Sequence, residues 1–188
     1  MTGEGRPKPS TREEVLARLR DKEHLAGIDL SGLDLSEIKL TGMVLVGANF
    51  SRANLRQAIL AGIDVRDANF SAANLDGALL AGANMSQVNL QGASLKAAKL
   101  NGVDLKNANL TGANLSEAKF LAVDVAGADF SGVNMDNAQA RSVMWARAKV
   151  PPAERPSALW LPWWVLALTL GAAVGLAVWL YRRRRAAA

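Results

Sequence analysis

From Ile28 to Trp145 the chain keeps a single period of five residues, with no insertion or deletion. The units begin IDLSG, LDLSE, IKLTG, MVLVG, ANFSR, ANLRQ and end AQARS, VMWAR. The third residue of each unit is Leu, Phe, Val or Met until Ala140, and the first is Ala or another apolar residue throughout. Five is neither the 3.6 of a helix nor the two of a half-buried strand. Self-similarity at a fixed period points instead to a stacked repeat. A longer period of twenty lies over the first: SEIKLTGMVLVGANFSRANL from Ser36 matches RQAILAGIDVRDANFSAANL from Arg56, position by position. The spacing therefore predicts coils of four short sides. Each coil satisfies its backbone by pairing with the coil above and below, which a lone coil could not do. At ~4.8 Å between paired strands, about six coils make a rod of roughly 29 Å.

Units of the form A(N/D)LxG, such as ANLDG, ADFSG, ANLTG and ANFSR, resemble the pentapeptide repeat family over about 120 of the 188 residues. The resemblance implies an all-β solenoid, a right-handed quadrilateral β-helix. It also implies that the central residue and the one two before it point inward. That assigns Leu30, Leu35, Phe50, Leu55, Phe70 and Leu75 to the core, with Ala48, Ala53, Ala68 and Ala73 at tight inner corners. Composition agrees: half the chain is apolar but only 5% is aromatic, so a narrow interior of Ala, Leu and Val is expected. An Asp in place of Leu75 or Leu95 would bury an unpaired charge.

Some members of that family are acidic rods that resemble DNA and bind type II topoisomerases. The net charge of +5 looks like a hint of nucleic-acid binding until it is divided along the chain. Residues 28–148 hold ten basic and eleven acidic residues, whereas 149–188 hold six basic residues and Glu154 alone. The repeat domain is close to neutral, a poor mimic of a polyanion, and nucleic acid is not an expected partner. Sorting outward residues with the twenty-residue period leaves one odd side. The sides centred on Leu30, Leu35 and Leu45 carry a small negative charge. The side centred on Leu40 carries Lys39, Lys99, Lys119 and Arg141 with no acid. Ile59, Ala61, Leu79, Ala81 and Leu121 share it, and Gly42, Gly62, Gly82 and Gly102 flatten it. Val44 and Val46 continue the apolar edge next door. Lys39, Ile59, Leu79, Lys99, Lys119, Leu121 and Arg141 form the candidate interaction face for an unidentified protein partner. The blander alternative is a structural spacer whose glycines serve turns.

The Asn column (Asn49, Asn69, Asn89, Asn109; then Asn54, Asn74, Asn114 and Asn134) is expected to bond turn backbone rather than a ligand. Catalysis has little to work with. His24 is the single histidine, Cys is absent, and no Ser-His-Asp set or metal cluster can be assembled. No G-x-x-x-x-G-K-[ST] motif is present. The carboxylates sit on a convex surface where solvent is expected to keep them ordinary. No enzyme activity, cofactor or metal is expected.

The ends are read separately. Residues 1–10 are Gly, Pro and charge, expected to be disordered. Thr11-Arg-Glu-Glu14 reads as a capping box opening an amphipathic helix over Thr11–His24, and 11–27 is expected to cap the apolar end of the stack. The repeat domain is placed at 28–148, with Trp145 sealing the last coil, and 149–158 reads as a Pro-rich linker. Residues 159–181 then run without a charge, long enough to cross a bilayer core of about 30 Å. Trp160, Trp163 and Trp164 at one end, and Trp179 and Tyr181 at the other, form the aromatic belts of a C-terminal transmembrane helix. The basic tail 182–188 opens with Arg182, Arg183, Arg184 and Arg185. Gly171 and Gly175 make a GxxxG that permits a homodimer. Four arginines favour a cytoplasmic C-terminus, but Met1–Arg20 holds no apolar signal segment, and Arg141, Arg147, Lys149 and Arg155 flank the other end of the span. The helix-plus-arginine ending also resembles bacterial C-terminal sorting signals, without their usual companions. The balance favours a cytoplasmic repeat domain anchored by its tail.

Overall fold

The period of five becomes four parallel ladders. In the computed structural model, which describes residues 8–20 and 25–158, the ladders pair residue n with n + 20 up to the last coil, where Asp129 pairs with Val150. The first side runs Asp29, Asn49, Asn69, Asn89, Asn109, Asp129 and ends on Val150; the second starts at Asp34 and Asn54. The third runs Lys39, Ile59, Leu79, Lys99, Lys119, Gln139, and the fourth runs Val44, Asp64, Asn84, Asp104, Asp124.

One unit accounts for all its amides. Phe70 N–H donates to Asn89 O at 2.7 Å, Asn69 N–H to Ala48 O at 2.9 Å and Ala72 N–H to Gln91 O at 2.9 Å. Ala73 N–H closes the turn onto Phe70 O at 3.0 Å. Ser71 N–H, the one left over, donates to the Asn69 side chain at 3.0 Å. The Asx residues are therefore structural, because without them one amide per side would lack a partner.

The inward columns are as expected: Leu35, Phe50, Leu55, Phe70 and Leu75 are fully buried, as are Ala48, Ala53, Ala68 and Ala73, and no charged or polar residue is buried among the described residues. Phe50 and Phe70 stack with ring centroids 4.6 Å apart. The last residue of each unit adopts a left-handed conformation whatever its identity. Gly62 has φ 64°, but Arg52, Gln57, Ala72 and Ala97 have φ of 58°, 59°, 55° and 56°. Stacking imposes the turn even on residues with a Cβ, which each cost of order 1–3 kcal/mol there.

The third side differs. Lys99, Lys119 and Gln139 stand where most positions of the other sides have Asn or Asp, so no short side chain caps the turn. There the backbone stays extended through β1 (Lys99–Asn101), β2 (Lys119–Leu121) and β3 (Gln139–Arg141), followed in the same sheet by β4 (Ser157–Ala158).

Both ends extend past the boundaries read from the sequence. Leu25 is buried, Ile28 N–H donates to Leu25 O, and Gly27 N–H donates to Val46 O at 2.8 Å, so Leu25–Gly27 already belong to the stack rather than to the preceding helix. At the other end Trp145 is 9% exposed and meets Phe120 and Phe130 edge-on, at 5.7 and 5.4 Å. After the short 3-10 turn Trp145–Arg147, Val150 bridges Asp129, one residue beyond the regular register. Pro152 is buried and Ser157 N–H donates to Ala138 O. The stretch expected as a linker, 149–158, is thus partly laid on the last coil. That coil's unpaired carbonyls supply the reason.

Helix α1 is described over Arg12–Arg20, within the expected Thr11–His24, whose residues 21–24 lie outside the described residues. Thr11 Oγ1 accepts the Glu14 N–H at 3.2 Å, and the Glu14 carboxylate accepts the Ser10 N–H at 2.6 Å, one residue before the expected partner. Val15 is buried in the core cluster, with Leu16 against it. Arg12 donates to Ser36 O, and Lys8 Nζ to Ser31 O at 2.7 Å. The chain divides into units Met1–Ser157 and Ala158–Ala188. The transmembrane reading of 159–181, with Trp160, Trp163, Trp164, Gly171, Gly175, Trp179, Tyr181 and Arg182–Arg185 beyond, lies outside the described residues; among those described, no helix is long and apolar enough to cross a membrane.

Candidate interaction face

The twenty-residue register brings the expected face together on the third side. Lys39, Ile59, Leu79, Lys99 and Lys119 form successive rungs of one ladder. Leu121 and Arg141 fall in the neighbouring outward column, also on adjacent rungs. Lys39, Lys99, Lys119 and Arg141 are exposed, Leu121 is 41% exposed, and Ile59 and Leu79 are half-buried, forming a low ridge rather than projecting knobs. Val44, 58% exposed, stands on the next side, as the apolar edge implied. Met144, 63% exposed, was not among the expected residues, although it occupies the same outward column as Val44 five coils later.

Several cations of the other sides meet carboxylates. Lys96 meets Glu117 at 3.3 Å, Arg66 meets Asp64 at 2.9 Å, Lys106 meets Asp104 and Asp124 at 3.0 and 3.4 Å, and Lys149 meets Asp129 at 3.8 Å. Lys39, Lys99, Lys119 and Arg141 have no carboxylate within 4 Å among the described residues. Three of these pairs join neighbouring coils of one side.

Several aspartates depart from the ordinary behaviour expected on a convex surface. The Ser36 amide holds Asp34 below its usual range, and the Ala126 amide does the same for Asp124. The Ser131 hydroxyl and amide depress Asp129, and the Arg66 guanidinium depresses Asp64. At Asp29 partial burial pushes upward but is outweighed by the Ser31 amide and Lys8. These are fixed anionic acceptors within turns, and among the described residues no three His, Cys, Asp or Glu side chains are grouped to hold a metal ion.

The same columns match known family models. One, described as a pentapeptide repeat region, matches residues 33–110; another, described as pentapeptide repeats in eight copies, matches 98–137. Together they cover more than half of the chain. The chain belongs to the pentapeptide repeat family. Its stack is the family's right-handed β-helix. A pentapeptide repeat protein from the thylakoid lumen of Arabidopsis thaliana is 34% identical, over 55% of this chain and 68% of that one, with a TM-score of 0.38. HetL, a pentapeptide repeat protein involved in heterocyst differentiation regulation from the cyanobacterium Nostoc, is 20% identical over 78% of this chain and 99% of that one, with a TM-score of 0.28. QnrB1, a plasmid-mediated fluoroquinolone resistance protein, is 18% identical over 68% and 79%, with a TM-score of 0.41. No curated protein matches the chain.

Proposed function

We propose that this pentapeptide repeat protein is a non-catalytic interaction module that presents its third side to a protein partner, with a C-terminal membrane anchor. The observation that carries the reading is the ladder Lys39–Ile59–Leu79–Lys99–Lys119, where apolar residues and cations share one flat side that holds no carboxylate. A rigid backbone makes such a side pre-organised, so docking costs little ordering entropy. On this reading the rod comprises about six coils, and α1 is the lid of its N-terminal end, with Val15 as the plug.

The test is a photo-crosslinking residue placed at Leu79 and, as control, at Asn89 on the first side. The expected result is a discrete adduct from Leu79 alone; equal yields from both positions would sink the reading. The anchor is supported by the uncharged run 159–181 and its aromatic ends. Membrane fractionation tests it, with loss of membrane association on deletion of 159–181 as the expected outcome. The cytoplasmic side is tested by protease protection on intact cells, and digestion of the repeat domain from outside would refute it.

A further inference from the structure

The third side is narrow. About 29 Å of stacked rungs, one short strand wide at ~10 Å, offer roughly 300 Å². A standard protein interface takes about 800 Å² from each partner. A globular patch is therefore poorly matched, whereas a linear segment laid along the rod axis is well matched.

The rung spacing selects the kind of segment. Rungs repeat every ~4.8 Å, close to the ~5.4 Å pitch of an α-helix, so successive helical turns meet successive rungs. A strand laid the same way presents side chains to one face every ~6.6 Å and falls out of step sooner. The ladder dictates the chemistry. Lys39 opens it, Ile59 and Leu79 follow, and Lys99 and Lys119 come next as direct cross-strand neighbours. Stacked like charges destabilise a sheet pair, and no carboxylate of the described residues relieves this one. Beside the ridge the next column is Ala61 and Ala81, with Gly62 and Gly82 beyond, so nothing large obstructs a helix there.

We infer that the third side binds an amphipathic acidic helix of a partner protein, with its apolar turns over Ile59 and Leu79 and its carboxylates at Lys39 and at the Lys99–Lys119 pair. This rests on the interaction-face reading and names its partner. Duplex DNA fits less well, since evenly spaced phosphates would lie over the apolar ridge. A bilayer fits less well, since no aromatic side chain stands on this side.

The test uses the full chain in detergent and a synthetic peptide of about five helical turns, roughly 18 residues, carrying Leu at the second and third turns and Glu at the first, fourth and fifth. Fluorescence anisotropy should show binding that weakens with salt and falls about tenfold or more in a K99E/K119E double variant. An R52E/R56E variant, altered on the first and second sides, should bind as the parent does. If K99E/K119E melts early, K99A/K119A should still show a smaller loss in the same direction. Equal binding by the parent and both Lys99/Lys119 variants would overturn the inference. So would a preference for phosphatidylserine vesicles or duplex DNA over the peptide. A Leu79 adduct without peptide binding would overturn this inference while leaving the interaction face standing.

Discussion

The side-chain amide of Asn49 donates to the carboxylate of Asp29 at 3.1 Å, across twenty residues of sequence and one coil of structure. The relation repeats upward, from Asn69 to Asn49, Asn89 to Asn69 and Asn109 to Asn89, at 3.3–3.4 Å. The bottom of this amide ladder is a carboxylate, an acceptor that requires no further partner below. Each rung also caps its own turn, so one side chain serves both the local turn and the joint between coils.

Asn69 makes the cost measurable. Its Oδ1 accepts the Ser71 amide and the Asn89 side chain. Asn69→Leu strands both donors and should destabilise the protein by about 1–3 kcal/mol. Asn69→Asp keeps the acceptor and should lose less. Urea unfolding followed by circular dichroism reads the difference, and equal losses would show that the turn cap contributes little.

Left-handed residues offer an opposite change. Ala97 is exposed with φ 56°. Ala97→Gly relieves that conformation and should stabilise by about 0.5–1 kcal/mol after the added freedom of the unfolded chain is counted. Gly62→Ala, at φ 64°, should destabilise by a similar or larger amount. The paired urea midpoints check the signs.

Trp145 closes the interior against Phe120 and Phe130. Trp145→Ala should cost about 3 kcal/mol or more, as large-to-small core changes do, and should loosen the last coil first. Hydrogen exchange should show the amides of Gly127 and Phe130, which bond to Arg147 and Val150, losing protection before those of the central coils.

Acid should weaken the stack. Asp34, Asp64, Asp124 and Asp129 are all held below their usual range. A depressed carboxylate contributes stability above its unfolded pKa and loses it as pH falls through the folded value. Stability should therefore hold from neutrality to about pH 4 and decline below that. Thermal melts between neutral and strongly acid pH measure this, and a flat profile would contradict the turn-cap role of the aspartates.

The columns at Leu35, Phe50, Leu75 and Ala73 could be read directly from the sequence, because each residue's direction depends only on its place in a unit of five and every unit obeys the same geometry. The candidate face was legible for the same reason: adding twenty to Lys39 reaches Ile59, then Leu79, Lys99 and Lys119. The proposed membrane span rests on the sequence alone, on length and absent charge. Tertiary structure decided what the period does not govern. Leu25 joined the stack below, and Val150 and Ser157 joined above, because the open edges of the first and last coils accept whatever backbone can reach them. Which carboxylate a given cation meets was also decided there. Lys96 reaches Glu117 and Lys106 reaches Asp124 across coils, so their pairing depends on how far one coil is offset from the next, a distance that sequence spacing does not contain.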